Sequence, residues 1–224
     1  MTSATRYSSV HDALARLNPR WGEIGSMPVA LDFGDSEREL ALKERVVICD
    51  LSALNRFGVK GSRAAKWLRD HGIDVPRSAN SWSHPPKVQG LVARLGTSEF
   101  LVEDGPSGSM VETLRASLNS GPDGLYPVVR QDAAFALTGS RAKEVMLQTC
   151  GLDFDSVNYG ERPVFFTRVA LISALVLPQV DGDTFTFRLW CSYPYGLYLW
   201  EELNEIVGEF GGGVVGLSAV YDGG

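Results

Sequence analysis

One twelve-residue pattern occurs twice in this chain, and it constrains the fold more than any other feature. Phe57-Gly58-Val59-Lys60-Gly61-Ser62-Arg63-Ala64-Ala65-Lys66-Trp67-Leu68 returns as Phe135-Ala136-Leu137-Thr138-Gly139-Ser140-Arg141-Ala142-Lys143-Glu144-Val145-Met146. Gly-Ser-Arg-Ala is identical in both copies, and a Phe stands four residues before the Gly in each. Each copy reads as a strand, a Gly turn and a helix with apolar residues at helical spacing. Ser62 and Ser140 are placed to cap their helices. The elements downstream of the two copies match as well: each half reads strand, helix, loop, hairpin, helix. Helices returning to one face of an antiparallel sheet define an α+β fold. A repeated unit of this size predicts two related halves, with a pocket where they meet.

The expected layout is an N-terminal segment over 1–45, a first half over 46–120 and a second over 121–224, forming one compact unit. The N-terminal segment should carry a short helix lined by Val10, Leu14 and Leu17, with Ser8 or Ser9 as its cap. A loop from Trp21 and a strand to Phe33 come next, and then a helix capped by Asp35 or Ser36. In the first half, Val46–Cys49 and Arg56–Lys60 are strands, residues 73–88 a Pro-rich loop, and Gly90–Leu95 and Glu99–Glu103 a hairpin. Ser109 and Glu112 form a capping box for the next helix. In the second half, Val164–Leu177 reads as strand, with a possible break. Asp181-Gly182-Asp183 marks a hairpin, and Leu199, Trp200, Leu203 and Val207 line a long helix ended by Gly211-Gly212-Gly213. Val214–Leu217 reads as a last strand.

The charge balance narrows the partners. A net charge of −6 and a pI near 5.1 argue against nucleic acid or an anionic membrane. The longest apolar stretch, Val169 to Leu177, is too short to span a bilayer, and the N-terminus lacks the apolar core of a signal peptide. Cys49, Cys150 and Cys191 are widely spaced among apolar neighbours, which reads as reduced, buried thiols in a cytosolic, cytoplasmic protein.

Chemistry-bearing residues are sparse. His11, His71 and His84 have no Cys or carboxylate at ligand spacing, so no metal site is expected. His71 should meet the terminal carbonyls of its helix. Gly61-Ser62 and Gly139-Ser140 open helices and are either anion-binding turns or caps, capping being favoured. Arg63 and Arg141 stand where the helix dipole disfavours a cation, which points either to an ion pair or to an anionic ligand. Asn80-Ser81-Trp82-Ser83-His84-Pro85-Pro86 holds a Trp that either lids the core or stacks on a flat ligand. Asp50, just past a buried strand, either accepts a hydrogen bond from a ring N–H or caps the following turn. Tyr193, Tyr195 and Tyr198 are candidates to face a partner protein.

These residues carry a resemblance. Trp21, Met27-Pro28-Val29, Cys49-Asp50-Leu51-Ser52 and Val59-Lys60-Gly61 resemble the opening of the glycine-cleavage T protein, an aminomethyltransferase. Val92-Ala93-Arg94-Leu95-Gly96, Glu99-Phe100-Leu101, Leu137-Thr138-Gly139-Ser140-Arg141-Ala142, Phe187-Arg188-Leu189 and Tyr198-Leu199-Trp200-Glu201 are similar to the gamma subunit of heterotetrameric sarcosine oxidase. The order and spacing of these motifs, over nearly the whole chain, are the specific part. The resemblance implies ferredoxin-like halves with antiparallel sheets around a central funnel that holds tetrahydrofolate in active members. By position its pocket residues would be Asp50, Leu54, Asn80 and Trp82; for an active enzyme Asp50 would be the best available acid.

The departures bear on activity. Aminomethyltransferases carry Gly-Gly-x-x-Asp-Asp before the strand that begins here near Gly90, where this chain has Lys87-Val88-Gln89-Gly90-Leu91-Val92. They carry Arg-Thr-Gly-Tyr-Thr-Gly-Glu, whose Glu contacts the pterin, where this chain has Thr167-Arg168-Val169-Ala170-Leu171-Ile172. The Lys-Gly-Cys-Tyr-x-Gly-Gln signature of the iron–sulfur maturation branch is also absent. The resemblance therefore implies a folate-type ligand binder or an accessory subunit in glycine or sarcosine one-carbon metabolism. An active tetrahydrofolate-dependent aminomethyltransferase and a ligand-free scaffold remain the alternatives. Tetrahydrofolate is the implied ligand, with no metal and no flavin in this chain. Larger oxidase or glycine-cleavage-type subunits are the implied partners, with a homodimer open.

Overall fold

A computed structural model describes residues 5–85, 90–118 and 123–221. The chain opens with α1 (His11–Ala15), β1 (Arg20–Ile24), β2 (Met27–Asp32), α2 (Ser36–Arg45) and β3 (Val47–Asp50). Next come β4 (Arg56–Lys60), α3 (Ala64–Asp70), β5 (Ser81–Ser83), β6 (Leu91–Arg94), β7 (Glu99–Glu103), α4 (Met110–Leu118) and β8 (Tyr126–Val128). The last stretch holds β9 (Ala133–Gly139), α5 (Ala142–Thr149), β10 (Phe165–Val169), β11 (Ile172–Asp181), β12 (Thr184–Cys191), α6 (Gly196–Glu209), β13 (Gly213–Val214) and α7 (Leu217–Tyr221).

The chain divides into two compact units. One takes the residues up to Ala53, then Asp132–Tyr159, then everything from Phe165 on; the other takes Leu54–Gln131 and Gly160–Val164. The boundary thus falls after Ala53, not at 46, and the second half begins past β8 instead of at 121. Strand pairing is the reason: β3 lies between β9 and β13, while β8 pairs with β4.

In the smaller unit the strands lie in the order β5-β6-β7-β4-β8, all antiparallel. Its sequence order, β4-α3-β6-β7-α4-β8, is the split βαβ of a ferredoxin-like half, with β5 added at one edge. Phe57, Val59, Val92, Phe100 and Val102 meet Trp67 and Leu68 of α3 and Val111 and Leu114 of α4 in one core. β5 is a departure from the expected 73–88 loop: Ser81, Trp82 and Ser83 pair with Arg94, Ala93 and Val92. The end of that loop, 86–88, lies outside the described residues, as does the sequence departure at 87–89.

The larger unit orders its strands β10-β11-β12-β9-β3-β13. Here β9-α5-β11-β12-α6 repeats the split βαβ, but β3 occupies the place that β8 takes in the other half. Only the β13–β3 pair is parallel among the described strands. Phe135, Leu137, Phe187 and Leu189 pack with Val145 and Met146 of α5 and Leu199, Trp200, Leu203 and Val207 of α6. Each such side chain contributes roughly 1.5–3 kcal/mol by leaving water. Val10, Leu14 and Ala30 of the N-terminal segment join this core. That segment holds a β1–β2 hairpin in place of the expected loop and single strand.

The repeated Gly-Ser turn is a packing device. Gly61 and Gly139 have φ of +133° and +135°. A Cβ on Gly61 would lie 1.9 Å from the Gly124 carbonyl oxygen, and one on Gly139 would lie 2.3 Å from that of Arg45. Only glycine permits such an approach at positive φ. The expected Ser caps are not made: both helices start two residues later, behind Arg63 and Arg141, with no side-chain cap. Ser140 instead donates to the Glu44 carbonyl at 2.7 Å. Similarly, Asp104 replaces the Ser109–Glu112 box on α4, its Oδ2 accepting from Val111 N–H at 3.0 Å. Gly72, at φ +76°, closes α3 in a Schellman arrangement: Gly72 N–H reaches Arg69 O and Ile73 N–H reaches Leu68 O. The expected last strand is cut to β13, and α7 takes the rest.

Candidate functional site

The Asn80–His84 segment is held by a short ribbon from a distant stretch of sequence. Val164 N–H donates to Asn80 O at 2.8 Å, Trp82 N–H donates to Arg162 O at 3.0 Å, and Ser81 bridges Pro163. Asn80 and Arg162 both sit in the left-handed region, at φ +55° and +50°. Asn tolerates that conformation; Arg162, directly before a proline, is doubly disfavoured there. Backbone strain of this kind persists only where surrounding contacts enforce it.

The ribbon frames Trp82. The residue is 6% exposed, and its Nε1 is buried without a hydrogen-bond partner among the described residues. The Arg162 guanidinium carbon stands 5.3 Å from the ring centroid, within cation–π range. His84 meets the indole edge-on at 4.9 Å, with its Nδ1 2.9 Å from Gly90 O. A buried indole N–H without an acceptor is uncommon and costly. Trp82 is therefore neither a simple lid nor a freely presented stacking surface. It is a buried ring with one donor unpartnered among the described residues, next to an exposed guanidinium. The cluster offers an indole N–H, a guanidinium and the imidazole of His84.

Asn80, Trp82 and Leu54 fall in the smaller unit, and Leu54 is buried there. Asp50 belongs to the larger one, at the end of β3 opposite Phe135. Its Oδ1 accepts from Ser52 N–H at 2.9 Å, so it caps the following turn. Sequence reasoning misses Arg162 as a site residue; its one signal is its place before Pro163, which gives no hint of Trp82. Arg141 pairs with Glu144 of its own helix at 2.7 Å and lies over Phe210 at 4.9 Å, a structural role. His71 Nδ1 lies 2.8 Å from Trp67 O, at the helix end as expected.

Other polar clusters are internally satisfied or inert. A cleft of about 450 Å³ in the larger unit is lined by Arg20, Asp32, Ser36, Glu39 and Leu40, among others. Arg20 already binds Asp32, whose carboxyl it holds below the ordinary range. Glu39 accepts from Phe33 and Gly216 N–H. All three cysteines are free and buried. Burial raises the Cys49 thiol well above its ordinary value and the Cys191 thiol to about 12, so neither supplies a thiolate near neutrality. Among the described residues no group of three or more His, Cys, Asp or Glu side chains is placed to hold a metal ion, and no helix is long and apolar enough to cross a membrane.

Two solved structures share this fold. The glycine cleavage system aminomethyltransferase T from Bartonella henselae matches with a TM-score of 0.73 at 13% identity, covering 96% of this chain and 61% of that one. A chain of the heterotetrameric sarcosine oxidase from Corynebacterium sp. U-96, solved in complex with pyrrole 2-carboxylate, matches with a TM-score of 0.61 at 18% identity. That match covers 78% of this chain and 92% of the other. The resemblance seen in motif order is thus present in three dimensions: the chain has the T-protein-like fold. It spans about three fifths of the aminomethyltransferase's length. No family model and no curated protein sequence matches it.

Proposed function

We propose that this protein is a folate-type ligand binder and accessory subunit of one-carbon metabolism, without aminomethyl transfer of its own. The observation that carries the reading is the buried, unpartnered indole N–H of Trp82 beside the Arg162 guanidinium. Tetrahydrofolate offers a pterin carbonyl and a carboxylate-bearing tail, which would meet the exposed Arg162 guanidinium and, where the ligand uncovers the buried edge of Trp82, its indole N–H. The fold shared with an aminomethyltransferase supports that ligand class. The fold shared with a chain of a heterotetrameric oxidase supports the subunit role.

Two absences in sequence weigh against catalysis: no carboxylate lies within Lys87–Val92, and no Glu lies within Thr167–Ile172. Asp50, the remaining acid, is engaged by Ser52. The test is isothermal calorimetry with tetrahydrofolate and 5-formyl-tetrahydrofolate, with a thermal-shift assay beside it. Saturable heat and a raised midpoint are expected. No heat and no shift would remove the ligand reading. Methylamine-donor transfer should stay at background, unchanged by Asp50→Asn; turnover lost in that variant would restore the enzyme alternative.

A further inference from the structure

The larger unit carries an exposed face that its own structure leaves unused. Tyr193, Tyr195, Leu197 and Tyr198 stand in the 3-10 turn before α6 and in the helix's first turn, and all four are exposed, Tyr195 by 54%. Tyr193 and the backbone of the turn are anchored. Tyr193 Oη donates to Tyr7 O at 3.2 Å. Gly196 is buried so tightly that a Cβ there would lie 2.1 Å from Ser9 Oγ and 2.5 Å from Ala133 Cβ. Exposed tyrosines on an anchored turn bind at low entropic cost, because little is left to order.

The helix continuing from this turn is acidic. Glu201 and Glu205 are exposed one helical turn apart, with Glu202 beside them, and Gly196–Glu209 contains neither Lys nor Arg. Like charges at that spacing destabilise a helix. The ion pairs Arg20–Asp32, Arg141–Glu144 and Lys143–Asp155 of this unit use none of these three carboxylates. Arg141 lies over Phe210, beyond the helix end. The face therefore presents apolar anchors next to negative charge that none of these ion pairs offsets.

We infer that this face docks a different protein, one presenting Lys and Arg around an apolar socket. The inference rests on the subunit reading above and adds the contact surface and the chemistry of the partner. Charge complementarity selects that occupant. A second copy would set acidic face against acidic face, and nucleic acid or an anionic membrane would be repelled.

The test places a photo-crosslinking benzoylphenylalanine at Tyr195, at Tyr198 or, as a control at the opposite end of the β11–β12 hairpin, at Val180, in the full chain in its native cells. The crosslinked partner is identified, purified and titrated against wild type, Tyr195→Ala and Glu201→Lys/Glu205→Lys. Crosslinks from both tyrosine positions to one basic partner are expected. Affinity should fall with added salt and by about tenfold in the double charge reversal. A crosslink to a second copy, or binding indifferent to salt and to both variants, overturns the inference. A partner captured only from Val180 overturns this surface but leaves the subunit reading standing. No crosslink from any position, with the chain recovered as a free monomer, removes both. The folate titration of the free chain is independent of all these outcomes.

Discussion

Several single residues hold conformations or charges that a neighbour alone makes tenable. At Gly139 the backbone is left-handed and lies against Arg45, whose carbonyl also accepts from Arg141 N–H at 2.8 Å. Gly139→Ala should lower stability by about 3 kcal/mol, read as a lower denaturant midpoint; an unchanged midpoint would mean the contact is slack. Asp104 is the electrostatic counterpart. It is 1% exposed, and its Oδ1 is buried without a partner. Burial raises its carboxyl above the ordinary 3.8, although the amide groups of Val111 and Met110 pull the other way. The folded state therefore holds this proton more tightly than the unfolded state does. The stability it contributes is full below about 3.8 and is lost as pH rises through the raised value. Relative to Asp104→Asn, wild type should lose stability as pH climbs above the ordinary 3.8, in urea titrations over a pH series. A pH-independent difference would contradict the assignment.

At the scale of elements, the hairpin joining β10 to β11 is the least economical. Ala170 and Leu171 both sit at positive φ, +46° and +67°, where a type I′ turn calls for Asn-Gly. Leu171 is also 80% exposed. Ala170→Asn with Leu171→Gly should raise stability by about 1 kcal/mol, seen as a higher melting temperature; a lower one would show that Leu171 packs in a way its exposure does not reveal. A break within Val164–Leu177 is legible in sequence, but this turn is not, because neither residue favours it. Much of the element order is legible for the opposite reason. Helical spacing in α5 and α6, Asp181-Gly182-Asp183, and Gly72 and Gly211 as helix stops all act locally. The long-range substitutions are hidden: β3 in the place of a fourth strand, and Ser140 turned onto Glu44. Local propensity has no access to a partner on the order of a hundred residues away.

For the molecule as a whole, the repeat defines the fold, and the candidate chemistry lies elsewhere. Both Gly-Ser turns are consumed in packing, so the anion-binding alternative loses its basis. Of the expected site residues, Asn80, Trp82 and Leu54 belong to one compact unit, and Asp50 is committed to a turn in the other. Arg162 joins Trp82 from a remote stretch of chain, across a ribbon that hydropathy does not announce. The most direct measurement is a calorimetric titration of 5-formyl-tetrahydrofolate into wild type and Trp82→Phe, which keeps an aromatic ring and deletes the indole donor. Wild type should bind saturably and the variant about tenfold more weakly, the loss of one hydrogen bond. An equal affinity in both, or no heat in wild type, would contradict the assignment of Trp82 as the ligand's donor.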